Sequence, residues 1–325
     1  MYDVICVGGA TQDIFFIDPN FPVKENHLAL DWVEKFLARD SLITYGGGAA
    51  NTAVGLSRLG FKTAFWGQVG EDLPGAEIAK NFKAENVSLE FLKSTKEIKT
   101  SISAVMVGAG GEHAIVMYRG KNDDLEQEIG TLGNDLSQTR YFYLSDVGST
   151  SEALTDQIIK LVKRYNLKLA FVPGQNQLKL GLSKLAAVLQ VTEVFILNVY
   201  EAYELLNWPF EAGSLNSCGL INKKVEEALS HFHKLGAKNV VITRDVCGSQ
   251  AYDGQQFYLT TAPVLRERVD TTGAGDSFAV GVLAALLRGE ALPKGLEYGN
   301  AESAAVIGVY GAQPGLLFNL PNKTS

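Results

Sequence analysis

Short apolar runs alternate with longer amphipathic ones along most of this chain. The runs at 4–8 (VICVG), 63–69 (TAFWGQV), 141–145 (YFYLS), 167–172 (LKLAFV), 194–198 (VFILN) and 239–243 (NVVIT) are apolar at successive positions. Successive strand side chains point to opposite faces, so such runs predict strands covered on both sides. Between them the 3.6-residue pattern predicts helices over Ala49–Leu59, Pro74–Glu85, Glu152–Tyr165, Ser183–Leu189, Tyr200–Leu206, Lys223–Leu235 and Gly275–Arg288, with a last one near Gly295–Val309. The alternation predicts an α/β fold: a central, mainly parallel sheet with helices on both faces.

Two regions break the rhythm. Residues 13–45 hold strand-like pieces, DIFFID and DSLITY, with no crossover helix between them. Residues 100–119 read as a hairpin, TSISAVMV and HAIVMYR around GAGGE. On the pattern alone they predict a pair of edge strands added to the main sheet. The polar stretch SLNSCGLINK (214–223) is a loop-like insertion and the segment expected to move most.

Bulk properties narrow the class. The 325 residues, 46% hydrophobic and 20% charged, suit a globular protein of one large α/β domain or two, with ample length for a sizeable core. No apolar run approaches the roughly 18 residues of a membrane span. The start, MYDVICVGGATQD, reads as a strand and turn, without a basic n-region or cleavage site, so no signal peptide is expected. A net charge of −7 with no basic stripe argues against nucleic acid, but not against a nucleotide held by local amides and a metal ion. Cys6, Cys218 and Cys247 are odd in number and widely spaced, which suggests a reducing, cytoplasmic compartment with neither disulfides nor a zinc site.

The most informative segment is DTTGAGDSFAVGVLAALL, Asp270 to Leu287. Gly273 and Gly275 allow a tight turn with uncovered N–H groups, and the helix start adds partial positive charge. That is an anion pocket, with phosphate the usual occupant. A carboxylate at its mouth, Asp276, would repel the ligand unless it handles a proton. It therefore reads as a general base, with the amides of Gly273, Ala274 and Gly275 receiving a transferred phosphoryl group. A plain helix cap is the competing reading.

DTTGAGDSF resembles the C-terminal signature D-T-x-G-A-G-D-x-F of the ribokinase-like (PfkB) sugar and nucleoside kinases. GGGAANTAVGLSRLG, Gly46 to Gly60, resembles that family's N-terminal signature, and the likeness runs from Gly8 to GAQPG at 311–315. It implies a single ribokinase-like domain over 1–325, ATP and Mg²⁺ as cofactors, and a β-sheet lid, inserted at about 13–45 and 100–119, whose exposed face pairs two subunits. It implies Asp13, Gly46, Gly47, Gly48 and Asn51 at the sugar. It also implies Thr243, Gly248, Thr272, Gly273, Gly275 and Asn300 at the nucleotide, Asn198 and Glu201 at a water-mediated Mg²⁺, and Asp270 with Gly311 at a possible K⁺ site.

The residues leave alternatives. Asp13 is otherwise a turn former, Asn51 an N-cap, and Asn198 with Glu201 a helix cap with a first-turn acid. Arg119 either reaches an acidic substrate or is a solvated lid charge. Several positions depart from the family pattern. Gly48 stands where ribokinase has Lys, which counts against ribose. Val172 replaces an acid or amide, with Asn176 nearby. Asp245 replaces a Gly beside the triphosphate, so it is expected to point away or reshape the loop. Gly315 replaces a Ser, which predicts weakened K⁺ stimulation. His231 and His233, two apart on a helix, face different directions and make a poor metal pair. No G-x-G-x-x-G follows the first strand, which leaves a nicotinamide oxidoreductase a poor alternative. The reading is a kinase for a primary hydroxyl of a sugar-like molecule. A nucleoside kinase and a catalytically silent sugar-binding member are the alternatives.

Overall fold

In the computed structural model, β1 (Val4–Val7) lies inside a nine-stranded sheet and its four buried residues divide between two cores. Val4 and Cys6 join the layer of α1 (Gly48–Arg58), α2 (Leu73–Ala84), α8 (Ala274–Leu287) and α9 (Leu292–Ile307). Ile5 and Val7 join the layer of α3 (Ser151–Tyr165), α4 (Gln175–Leu180), α5 (Leu182–Leu189), α6 (Val199–Leu205) and α7 (Lys223–Lys234). The two-faced apolar runs are therefore strands sandwiched by helices, as the pattern predicts. The structure describes residues 1–24, 27–30, 32, 35–109, 112–120, 136, 138–148, 151–210, 218–264 and 268–321.

The other strands of this sheet are β6 (Thr63–Gly70), β7 (Leu92–Thr95), β10 (Tyr141–Leu144), β11 (Lys168–Phe171), β12 (Thr192–Asn198), β13 (Asn239–Thr243), β14 (Ser249–Tyr252) and β15 (Phe257–Thr260). Their order is β15-β14-β13-β12-β11-β10-β1-β6-β7. Pairing is parallel from β7 to β13 and antiparallel at β14 and β15. The order reverses around β1, whose neighbours β6 and β10 both follow it in the chain. A ligand crevice belongs at the carboxyl ends of strands at such a switch point.

A second, four-stranded sheet has the order β5-β2-β8-β9, formed by β2 (Thr11–Ile17), β5 (Asp40–Gly46), β8 (Ser101–Val107) and β9 (His113–Tyr118). Both irregular regions thus supply one flap, separate from the main sheet. A short hairpin, β3 (Val23–Lys24) with β4 (His27–Leu28), interrupts the first of them. One face holds Phe15, Val105 and Val107. The register sets Ile14 beside Ile43 and Ala104, Phe16 beside Met106, and Ile102 beside Tyr118 on the other face. There Ile43, Val116 and Tyr118 are exposed.

The expectation of no disulfide is overturned: Cys218 is bonded to Cys247, with Cα atoms 4.4 Å apart, and Cys6 is free and buried. Sequence spacing did not reveal the pair because α7 and β13 separate them and the fold brings the two loops together. Residues 214–217 of the polar insertion, and 110–111 at the hairpin tip, lie outside the described residues. Among the described residues no helix is long and apolar enough to cross a membrane.

Candidate active site

The loop before α8 is built around Asp270, which is almost completely buried. One carboxylate oxygen accepts from the N–H of Thr272 at 3.0 Å and its hydroxyl at 2.8 Å. The other accepts from the N–H of Gly311 at 2.9 Å, tying the loop to the GAQPG segment. Gly273 is the N-cap of α8 at φ 78°, and a Cβ there would lie 2.4 Å from Ala312 Cβ. Only glycine fits both demands. The start of α8 then points the amides of Gly275 and Asp276 outward, where a helix offers no internal acceptor.

That loop separates two cavities. On one side lies a cavity of about 470 Å³ lined by Thr243, Asp245, Val246, Gly248, Val264, Arg268, Thr271, Ala274, Gly275, Phe278, Asn300 and Ile307, among others. On the other lies one of about 240 Å³ lined by Asp13, Gly46, Gly47, Gly48, Asn51, Ser103, Met117, Arg119, Asp146, Thr272, Gly273 and Asp276, among others. Of the residues expected at a nucleotide, Thr243, Gly248, Gly275 and Asn300 line the larger cavity. Thr272 and Gly273, expected there too, line the smaller cavity. Alternation along the loop turns Thr271, not Thr272, toward the larger one.

In the smaller cavity, Asp276 keeps some surface open while its carboxylate sits deep in the protein. Burial raises its pKa, the Asn51 hydrogen bond opposes that, and the charge of Asp146 adds to the rise. Asn51 Nδ2 donates to Asp276 Oδ2 at 2.8 Å. Gly47, not Asn51, is the N-cap of α1, so the capping alternative for Asn51 fails. A Cβ on Gly48 would fall 2.2 Å from Ser145 Oγ and 3.1 Å from Asp276 Oδ1. The absence of a side chain at 48 keeps that oxygen accessible, and any side chain there would have to displace the Ser145 hydroxyl.

Asp13 is buried on β2, and its carboxylate accepts from the Ser103 hydroxyl. Burial pushes its pKa up to about 6, the Ser103 bond lowers it, and the Asp270 charge raises it. Arg119, at the end of β9, pairs with Asp146 across the mouth of the cavity, Nη1 to Oδ2 at 2.7 Å. Arg119 thus ties lid to body while also lining the smaller cavity. Sequence reasoning missed Asp146, Ser103 and Gln313. Asp146 had a usable signal, since it lies two residues past the end of β10, where switch-point ligands gather.

Asp245 opens a turn of 3₁₀ helix, Asp245–Cys247, with φ 50°, and lines the larger cavity rather than pointing away. The loop is reshaped. Asn300 Nδ2 donates to the Thr261 carbonyl at 2.9 Å.

Asn198 and Glu201 line neither cavity; they cap α6 reciprocally. Asn198 Oδ1 accepts from the Glu201 N–H at 2.9 Å, and Glu201 Oε2 accepts from the Asn198 N–H at 2.8 Å. Burial raises Glu201 to about 7, the Asn198 amide lowers it, and the charges of Glu204 and Asp276 raise it. Carboxylates so crowded are a donor set that a hydrated divalent cation would relieve. Among the described residues no cluster of three or more His, Cys, Asp or Glu forms a direct metal cage. At Gly315 a Cβ would come within 2.6 Å of the Ala305 carbonyl oxygen, so a serine has no room at that end of the possible K⁺ site. Asn176 Nδ2 donates to the Val147 carbonyl at 3.3 Å.

A family model described as pfkB family carbohydrate kinase matches residues 3–318. The chain is 28% identical over 269 residues to a protein of Archaeoglobus fulgidus named as an uncharacterized sugar kinase, covering 81% of this chain and 98% of that one. It is 25% identical over 314 residues to a 5-dehydro-2-deoxygluconokinase of Listeria monocytogenes, covering 94% and 90%. Among solved structures, ribokinase of Arabidopsis thaliana, complexed with ribose and ATP, superposes with a TM-score of 0.77 at 23% identity, over 97% of this chain and 95% of that one. A nucleoside kinase of Burkholderia thailandensis in complex with inosine gives 0.74 at 18% identity, over 96% and 93%. The fold is ribokinase-like.

Proposed function

The chain belongs to the PfkB family of carbohydrate kinases, and from that premise we propose that it transfers the γ-phosphoryl group of ATP to a primary hydroxyl of a small sugar-like molecule. One observation carries the reading: a single helix-starting loop is the partition between two cavities. Ala274 and Gly275 face one, and Asp276 faces the other.

The nucleotide occupies the larger cavity, its adenine near Asn300, Val246 and Val264, and its phosphates at Thr243, Gly248 and the start of α8. The acceptor occupies the smaller one, with two hydroxyls on Asp13 and further contacts from Gly46, Gly47, Thr272 and Arg119. Its attacking oxygen approaches past Gly48, and its proton passes to Asp276 Oδ1 while Oδ2 stays on Asn51. The new oxygen–phosphorus bond forms as the β–γ bridging bond breaks and ADP leaves. The outward amides of Gly275 and Asp276 stabilise the charge on the moving group, while that of Ala274, expected to share in this, is taken by the Thr271 carbonyl at 3.2 Å. Mg²⁺, held through water by Asn198 and Glu201, would supply charge neutralisation on the phosphates. A K⁺ near Asp270 and Gly311 would have backbone carbonyls as its main ligands, which supports weak stimulation.

A nucleoside acceptor is the second reading, favoured by the fold shared with the inosine-bound enzyme; the modest size of the smaller cavity speaks for a sugar. The intact Asp276 and Gly273 speak against a silent sugar-binding member. The apolar outer face of the lid supports a homodimer through that sheet. This single-unit enzyme acts on small molecules and not on nucleic acid or membranes; a cytoplasmic place rests on the small-molecule kinase reading alone, since the Cys218–Cys247 bond removes the cysteine argument for it. The test is a panel of neutral sugars, sugar acids and nucleosides assayed for ADP release against the Asp276→Asn variant. Release from none of them above that variant would overturn the reading.

A further inference from the structure

Behind Asp276 a file of amide side chains leads away from the cavity. Asn51 Nδ2 donates to Asp276 Oδ2 at 2.8 Å, Gln313 Nε2 donates to Asn51 Oδ1 at 3.3 Å, and Asn81 Nδ2 donates to Gln313 Oε1 at 2.8 Å. The three come from α1, the loop after α9, and α2. Asn51 and Gln313 are both buried.

The direction of the file follows from its end. An ionised carboxylate can only accept, so Asn51 must turn its NH₂ group to Asp276. Its carbonyl oxygen then faces Gln313, which must donate, and the oxygen of Gln313 in turn faces Asn81. Each amide is polarised toward the base, and aligned hydrogen bonds strengthen one another at low dielectric. Gln313 is also held by its backbone. Its carbonyl accepts from Arg58 Nη1 at 2.8 Å, and Arg58 is clamped by Glu85 through Nε at 2.8 Å and Nη2 at 2.6 Å. The neighbouring Ala312 sits against the αL turn at Gly273. The segment that carries Gln313 therefore sets both the loop under the phosphoryl group and the amide on the base.

We propose that Gln313, backed by Asn81, is a positioning residue for phosphoryl transfer: it locks the Asn51 amide so that one oxygen of Asp276 stays bonded and the other faces the acceptor hydroxyl. This rests on the kinase reading above. The charged and titratable groups that Asp276 feels are Asp146 with its partner Arg119, Glu201 and Tyr143. The file itself carries no net charge, so its influence is through hydrogen-bond direction alone.

Two substitutions separate direction from packing. Gln313→Met fills similar volume and cuts the file. Gln313→Glu still accepts from Asn81 but cannot donate to Asn51, so the Asn51 amide flips and turns its oxygen to Asp276. Both are expected to lower kcat by about tenfold or more with the KM for ATP within about twofold. The acid limb of the kcat–pH profile should move up by about one unit, further for Glu than for Met. Asn81→Ala, at the outer end, should give the same changes in weaker form and covers the case in which a Gln313 variant fails to fold. An unmoved acid limb in a folded variant would overturn the proposal, because lost packing alone lowers melting temperature without retuning the base. A second readout needs no turnover: ¹³C NMR titration of the aspartate carboxylates, with Asp276 assigned by its loss in Asp276→Asn. A raised Asp276 midpoint in Gln313→Met supports the file even if no acceptor is ever phosphorylated, in which case the kinase reading alone fails. An unchanged midpoint sinks the file whatever the enzyme's activity.

Discussion

The carboxylate of Asp13 fills the space that a side chain on Gly46 would take, for a Cβ there would lie 2.3 Å from Asp13 Oδ2. Gly46 pairs with Thr11 and Asp13 with Thr44, so the two are diagonal neighbours across β2 and β5, and both line the smaller cavity. Gly46→Ala should therefore displace the carboxylate and raise the acceptor KM by about tenfold or more, the loss of one or two charged hydrogen bonds. The KM for ATP should stay as it was. Asp13, with its pKa near 6, should also make acceptor KM rise as pH falls through that value, since protonation removes an acceptor. Steady-state kinetics between pH 5 and 8 check both, and a KM flat over that range would remove Asp13 from the acceptor.

Asp276→Asn keeps size and shape while removing the proton acceptor. The expected cost is about 10²–10⁴ in kcat, or roughly 3–5.5 kcal/mol of transition-state stabilisation. Stability should change by less than about 1 kcal/mol. Melting temperature and kcat measured on one preparation decide between a base and a mere first-turn acid, which would leave kcat above about a tenth of the wild-type value.

Glu302 makes stability depend on pH. It is fully buried, and burial raises its pKa to about 7, opposed by the Leu317 amide and by the charge of Arg58. The folded state thus holds this proton more tightly than the unfolded chain does. The stabilisation is therefore complete below the ordinary glutamate range near 4.5 and is lost as pH rises through about 7. Glu302→Gln keeps the oxygen that accepts from the Leu317 N–H and should flatten that dependence. Urea unfolding at pH 5.5 and pH 8 should show the wild type weaker at the higher pH and the variant nearly level.

The lid offers two probes that differ in direction. Ile102 pairs with Tyr118 on the outer face, whereas Val105 is buried and lines the smaller cavity. Ile102→Lys should shift a dimer to monomer with the main fold intact, and Val105→Lys should damage the acceptor site. Light scattering that finds the unmodified protein monomeric would end the dimer reading.

The Cys218–Cys247 bond closes a loop with a sequence separation of 29. In the chain-entropy account, closure on that scale stabilises by about 3–4 kcal/mol. Thiol titration in denaturant should find one free cysteine, Cys6, without reductant and three with it. Reduction should lower the melting temperature and, because Cys247 belongs to the turn lining the larger cavity, raise the KM for ATP. Three thiols in protein purified without reductant and then exposed to oxidant would refute the bond.

Much of this molecule is legible in the sequence itself. Strands such as β1 declare themselves because burial on two faces demands apolar residues at every position. The DTTGAGD loop declares itself because the αL turn at Gly273 and the helix start after it are local backbone demands. What the order of residues could not decide was which loops would meet. Asn51 reads equally well as a cap or a ligand until the sheet order carries α1 beside α8 and its amide reaches Asp276, 225 positions away. The same holds for Arg119 with Asp146, for Gln313 with Asn81, for Cys218 with Cys247, and for the side of the loop that Thr272 faces. Local propensities act over a few residues and leave their mark in the string. Contacts between distant side chains depend on how layers settle on one sheet, and only the tertiary structure contains that choice.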